Sequence, residues 1–280
     1  MLLESKQWLG GFGFTEGPRW HDGRLWFSDF GDCVVRSADA NGELVEVLRV
    51  DARPSGLGWL PDGSLLVVSM ADRRVLRVRD GGTSEHADLT GLADFSCNDM
   101  VVDRAGNAYV GHFGFDLLAQ PLQPKAASLL LVRADGTASV AAPDLAFPNG
   151  VVLAGSGRTL IVAETFGQRL TAFDVAGDGA LSGRRIFAAL PGCSPDGICI
   201  DAEGGVWVAD AAGKRCVRVD ARGAITDTVN TQQRCYACAL GGADGRTLFL
   251  CTADGFDRAA FAKHSGSIET VQVAVPAAEF

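Results

Sequence analysis

The chain has 280 residues, of which 47% are hydrophobic and 35 are glycine, and its formal charge at neutral pH is −9. That charge lacks the basic footprint a nucleic-acid binder needs and would be repelled by an anionic membrane surface, and no apolar run approaches a membrane span. What remains is a turn-rich, all-β composition suited to a small-molecule ligand, and the N-terminal MLLESKQWLGGFG, with Glu4 and no signal-like apolar stretch, predicts a cytoplasmic protein.

Taken in chain order, one pattern recurs six times. Glu16-Gly-Pro-Arg-Trp20 precedes HDG and LWFSD; Ser55-Gly-Leu-Gly-Trp59 precedes LPDG and SLLVVSM; Asn98-Asp-Met-Val-Val102 precedes DRAG and NAYVGHF. Asn149-Gly-Val-Val-Leu153 then precedes AGSG and RTLIVAET, Asp196-Gly-Ile-Cys-Ile200 precedes DAEG and GVWVADA, and Tyr236-Ala-Cys-Ala-Leu240 precedes GGADG and RTLFLCTAD. Successive units begin 39 to 51 residues apart. Each reads as a short apolar strand, a glycine turn, a second apolar strand and two more polar strands, the anatomy of a propeller blade. Such a unit cannot bury both faces alone, so six must stack and the ring must close. The predicted fold is therefore an all-β, six-bladed β-propeller of four-stranded antiparallel blades, one domain over residues 1–280. Closure is expected where the C-terminal SIETVQVAV meets the N-terminal LLESKQWL in the last blade.

The first strand of a blade lies nearest the central axis, so Glu16, Ser55, Asn98, Asn149, Asp196 and Tyr236 are predicted to ring one mouth of the channel. The ends of the second strands, including Asp29, His112, Glu164, Asp210 and Thr252, fall toward the same face. Two carboxylates and two carboxamides from four blades converge there, and buried carboxylates need a partner. Oxygen donors without a histidine or thiolate suit one hard divalent cation, with Ca2+ favoured and Zn2+, Mn2+ or Mg2+ as alternatives. The other reading is that these groups cap strands and hold channel water. The eight cysteines read mainly as small buried hydrophobes, and Cys235-Tyr-Ala-Cys238 has neither a second pair at zinc spacing nor a redox-helix context.

The segments FTEGPRW, CNDMVVDRAG, FPNGVVL and SPDGICID resemble the signature segments of the senescence marker protein, regucalcin and gluconolactonase family, and the resemblance runs over nearly the whole chain. It implies a six-bladed propeller, a divalent metal held by Glu16, Asn149 and Asp196, and hydrolysis of sugar lactones or related cyclic esters. It also places Asn98 beside the metal, in contact with substrate or water. Family members of the regucalcin kind have an arginine two residues before that asparagine to grip sugar hydroxyls; here the position is Ser96. This departure, with the long apolar segment GHFGFDLLAQPLQPKAAS expected to form a lid through Phe113, Phe115, Leu117 and Leu118, points to a lactone or ester less polar than gluconolactone.

Asp196 is the candidate general base, or else a ligand only, since a bound cation lowers its basicity. His112 is a candidate for proton transfer or substrate contact, Glu164 and Asp116 for contacts to substrate hydroxyls, and Tyr236 for shaping the pocket. There is no GxSxG elbow, HExxH or phosphate-cradling loop. Alternatives to a lactonase are a phosphoester or phosphotriester hydrolase on the same metal scaffold and a non-catalytic calcium-binding propeller. The protein is expected to act as a monomer or homodimer on a small molecule.

Overall fold

A computed structural model of the chain describes residues 1–278. Six sheets radiate around one axis, each built on four antiparallel strands that run in chain order from the inside outward except for the outermost strand of the sixth, so the protein is a six-bladed β-propeller. The inner strands, Thr15–His21, Pro54–Trp59, Cys97–Val102, Pro148–Ala154, Pro195–Ile200 and Arg234–Gly241, each pack against the next, and the sixth packs against the first. Second strands are sandwiched between neighbouring blades; Leu65–Ser69 and Val206–Asp210 are buried at every residue. Fourth strands face solvent, as Leu181–Ala189 does over most of its length. That gradient is what the sequence shows as an apolar pair of strands followed by a polar pair.

The core is correspondingly divided. One apolar cluster fills each of the six interfaces between blades, for example Leu66, Val68, Met100, Val110, Leu130 and Val132 between blades two and three. Each such side chain contributes about 1.5–3 kcal/mol on burial, so the ring is held by many equivalent seams. A seventh cluster, built on Phe14, Phe30, Phe113, Phe147, Tyr236 and Phe261, lies over one mouth of the channel.

Closure is made by two N-terminal strands rather than one. Lys6–Phe12 pairs antiparallel with Gly266–Gln272 as the outer strand of blade six, where closure was expected. Leu2–Glu4, however, pairs parallel with Ile225–Asn230 and adds a fifth strand to blade five. Ser5 is the pivot: its N–H and hydroxyl both reach the Asn230 carbonyl, at 3.1 and 3.0 Å, and the hydroxyl also donates to Glu269. Among the described residues the one helix is Arg258–Ala262, and no helix is long and apolar enough to cross a membrane.

Candidate active site

Every inner strand breaks its pairing register at the residue that opens the repeat. The irregularities fall between Glu16 and Arg19, Pro54 and Leu57, Cys97 and Met100, Pro148 and Val151, Pro195 and Ile198, and Cys235 and Ala237. A bulge re-aims a side chain out of the pleat, here into the channel. The residue that follows is glycine in four blades because the neighbouring inner strand passes there. A Cβ on Gly150 would lie 2.5 Å from the Asp196 carbonyl oxygen, and one on Gly197 would lie 2.5 Å from the Ala237 Cβ.

These bulges bring Glu16, Asn98, Asn149, Asp196 and Tyr236 to one cavity of about 610 Å³. All five are buried. The Asn98 Nδ2 donates to the Asn149 Oδ1 at 2.8 Å, and the Asn149 Nδ2 donates to Thr165 Oγ1, which in turn donates to the Pro195 carbonyl at 2.8 Å. Ser55 does not line the cavity, but its hydroxyl donates to the Asn98 Oδ1 at 3.3 Å. Glu16 Oε2 accepts the Gly17 N–H at 2.8 Å. The Asp196 Oδ1 is buried with no hydrogen-bond partner among the described residues. An orphaned buried carboxylate oxygen is costly, and here it faces the cavity free to accept a ligand.

The electrostatics say the same. Burial, then the charges of Asp196 and Asp99, hold the Glu16 carboxyl well above the usual carboxylate range; burial and Asp99 do the same to Asp196. Asp99 is a third axial carboxylate that sequence reasoning passed over. Its signal was present: it occupies the position where Gly17, Gly56, Gly150 and Gly197 stand in other blades. Its Oδ1 accepts from Arg19 at 2.7 Å, and Arg19 also reaches the Met100 carbonyl at 2.6 Å. With all three carboxyls ionised, the one guanidinium of Arg19 would leave two negative charges to be offset, which a divalent cation could do. Among the described residues no three His, Cys, Asp or Glu side chains gather as a metal-ligating group. The set that fits a cation here is two carboxylates with a carboxamide, Glu16, Asp196 and Asn149, all hard oxygen donors.

Other expected contacts are placed elsewhere. Glu164 does not reach the cavity: its oxygens accept from Arg169 and the Ala146 N–H at 2.7–2.8 Å, and from Thr171. Burial alone would raise its pKa, but these donors outweigh it and hold the carboxyl below the usual range. Asp29 and Asp210 tie down the loops entering their own blades in the same way, through the Phe14 and Ser194 N–H groups at 3.0 Å. The end of the second strand is thus a structural anchor, and residues there turn back to the backbone. His112 follows that rule: its Nε2 accepts the Ser128 N–H at 3.1 Å, and burial lowers its pKa, leaving a neutral ring away from the cavity. Ser96 and Asp116 border a smaller adjoining pocket, while Phe113 borders both.

The lid segment behaves largely as expected. Phe113 and Phe115 are buried, packing on Phe147 with centroids at 5.1 and 5.7 Å, and Leu117 joins the same cluster. Leu118 is exposed. The cavity wall gains Phe147 and Phe166 from blade four and Phe256 from blade six, none of which was singled out from sequence. Cys235 and Cys238 are buried and unpaired; Cys238 instead lies 3.6 Å from Cys199 of the neighbouring blade.

Residues 14–254 match the family model described as SMP-30/Gluconolactonase/LRE-like region. The chain belongs to this family. It is 28% identical to pentonolactonase XacC of Haloferax volcanii over 86% of this chain and 81% of that one, and 27% identical to regucalcin of Gallus gallus over 80% and 77%. Among solved structures it shares the fold of the calcium-binding protein regucalcin of Agrobacterium tumefaciens, with a TM-score of 0.82 at 20% identity, covering 100% of this chain and 97% of that one. Family membership thus agrees with the resemblance carried by the FTEGPRW, CNDM, FPNG and SPDG segments.

Proposed function

We propose that the chain is a divalent-metal-dependent lactonase acting on a cyclic ester less polar than gluconolactone. The observation that carries this reading is the buried, unpartnered Asp196 Oδ1 beside Glu16 and Asn149 in a cavity walled by phenylalanine. Glu16, Asn149 and Asp196 would hold the cation, with Ca2+ favoured because oxygen donors from three separate blades need not enforce an octahedron. When bound, it would polarise the lactone carbonyl and offset charge developing on that oxygen.

The chain's own residues supply the rest. Asp196 takes the proton of the attacking water and returns it to the ring oxygen as the acyl C–O bond breaks. Asn98 holds Asn149 in place through its carboxamide and presents its own edge to the cavity. Phe14, Phe30, Phe113, Phe147, Phe166 and Phe256 exclude bulk water and receive an apolar body. The six phenylalanine rings on the cavity wall offer an apolar surface that supports an alkyl or aromatic body on the lactone. The lactonase name of the Haloferax volcanii relative supports the reaction class.

The test is a pH-indicator assay of metal-stripped protein, reloaded with calcium, magnesium, manganese or zinc, against aldonolactones, alkyl lactones, aromatic lactones and a phosphotriester. An apolar lactone should be opened fastest and only with a divalent ion present. Hydrolysis confined to the phosphotriester, or a preference for gluconolactone, refutes the reading.

A further inference from the structure

Beside the main cavity lies a pocket of about 90 Å³, and the two share Phe30, Phe113, Leu117 and Phe256 as walls. Two hydrogen-bond donors face it, Arg53 and Ser96. Ser96 is the position at which the expected sugar-gripping arginine is absent. Arg53 arrives from a different blade, at the entry to the inner strand of blade two. Its backbone is left-handed, with φ of 70°, and is pinned by its N–H to the Val50 carbonyl and by the Met70 N–H to its own carbonyl, both at 2.9 Å.

The Arg53 guanidinium is half-buried and lies over the Phe261 ring, 5.7 Å from its centroid. Among the described residues it has no hydrogen-bond acceptor and no carboxylate in ion-pair reach, whereas Arg36, Arg169 and Arg215 are each paired with a carboxylate. Asp116 also borders the pocket, but its Oδ1 accepts the Leu118 N–H at 2.9 Å. A guanidinium and a hydroxyl facing a small aromatic pocket, partly shielded from water, form a receptor for a planar anion and not for an uncharged hydroxyl array.

We propose that the substrate is two-ended: a lactone over Glu16, Asn149 and Asp196, an apolar body along the phenylalanines, and a carboxylate received by Arg53 and Ser96 in the side pocket. Arg53 is then the specificity-determining residue, taking over from another blade the charge that position 96 lacks. This rests on the lactonase reading and deepens it.

The experiment compares an aromatic δ-lactone carrying a carboxylate on its distal ring edge with its uncharged carboxamide isostere. Wild type should favour the carboxylate by about tenfold or more in kcat/KM, mostly through KM, the range a hydrogen bond to a charged group supplies. In Arg53→Gln the ratio should collapse to near one, whereas Arg234→Gln, at the exposed rim of the main cavity, should keep it. No preference in wild type, or a preference that survives in Arg53→Gln, overturns the proposal. Calorimetry with the non-hydrolysable lactam carrying the same carboxylate separates the two readings. Binding that is lost in Arg53→Gln supports the subsite even if no lactone turns over, and no binding to wild type rejects it.

Discussion

The substitution Asp196→Asn separates a metal site from a set of polar caps, because it should move stability in opposite directions with and without the ion. Without metal, Asp196 is buried, its Oδ1 has no partner, and Asp99 and Glu16 repel it. Its folded pKa is raised, so its favourable contribution is complete only below the unfolded value, near pH ~4, and is lost as pH rises toward the folded value. Metal-stripped Asp196→Asn should therefore be more stable than metal-stripped wild type at pH 7, by a margin that shrinks toward pH 4. With metal the order reverses. An ion present at about 100 times its Kd adds roughly 2.7 kcal/mol, or about 5–11 °C in Tm for a chain of this size. Removing one anionic ligand from a divalent ion forfeits about 8 kcal/mol of attraction at ~4 Å and an effective dielectric near ~20. Even after the desolvation that Asn no longer suffers, this exceeds the ~2.7 kcal/mol that separates 100 Kd from Kd, so the calcium-dependent shift should vanish. Scanning calorimetry of both proteins with chelator and with calcium reads all four states. An unchanged calcium shift in Asp196→Asn, or a loss of stability in its metal-stripped form, would refute the reasoning.

Glu164→Gln should cost about 1.5–3 kcal/mol at pH 7, because it weakens the charged hydrogen bonds from Arg169 and the Ala146 N–H. The Glu164 carboxyl is held below its usual range, so the stability it supplies is present above the unfolded value and lost as pH falls through the folded one; the wild-type advantage in urea melts should fade below about pH 4. Gly150→Val places a side chain 2.5 Å from the Asp196 carbonyl and the Ile198 N–H and should cost about 1–3 kcal/mol or more, with calcium affinity falling too. A wild-type melting curve with wild-type calcium binding would contradict that packing. Ser96→Arg should shift selectivity toward polyhydroxylated lactones, and unchanged ratios across a matched panel would remove position 96 from the specificity argument.

The propeller was legible because its cause is local and repeated. Each unit carries its own turn glycine and its own apolar pair of strands, and six copies of the same signal outweigh any ambiguity in one. The convergence of Glu16, Asn98, Asn149 and Asp196 was legible for the same reason, since a residue's place in the repeat fixes its distance from the axis. The same rule overreached at the ends of the second strands. Glu164 and His112 stand at the right height but turn toward backbone N–H groups, a choice set by loops that have no fixed spacing in the sequence.

What the sequence determined by itself was therefore the blade count, the ring positions and the aromatic character of the lid. Three-dimensional packing decided that Leu2–Glu4 crosses to blade five, that Asp99 and Arg19 meet in the channel, and that Arg53 opens beside Ser96. Those pairings join residues more than 40 positions apart on different blades. A repeat tells each strand where it stands along its own blade, but only the closed ring brings the side chains of separate blades face to face.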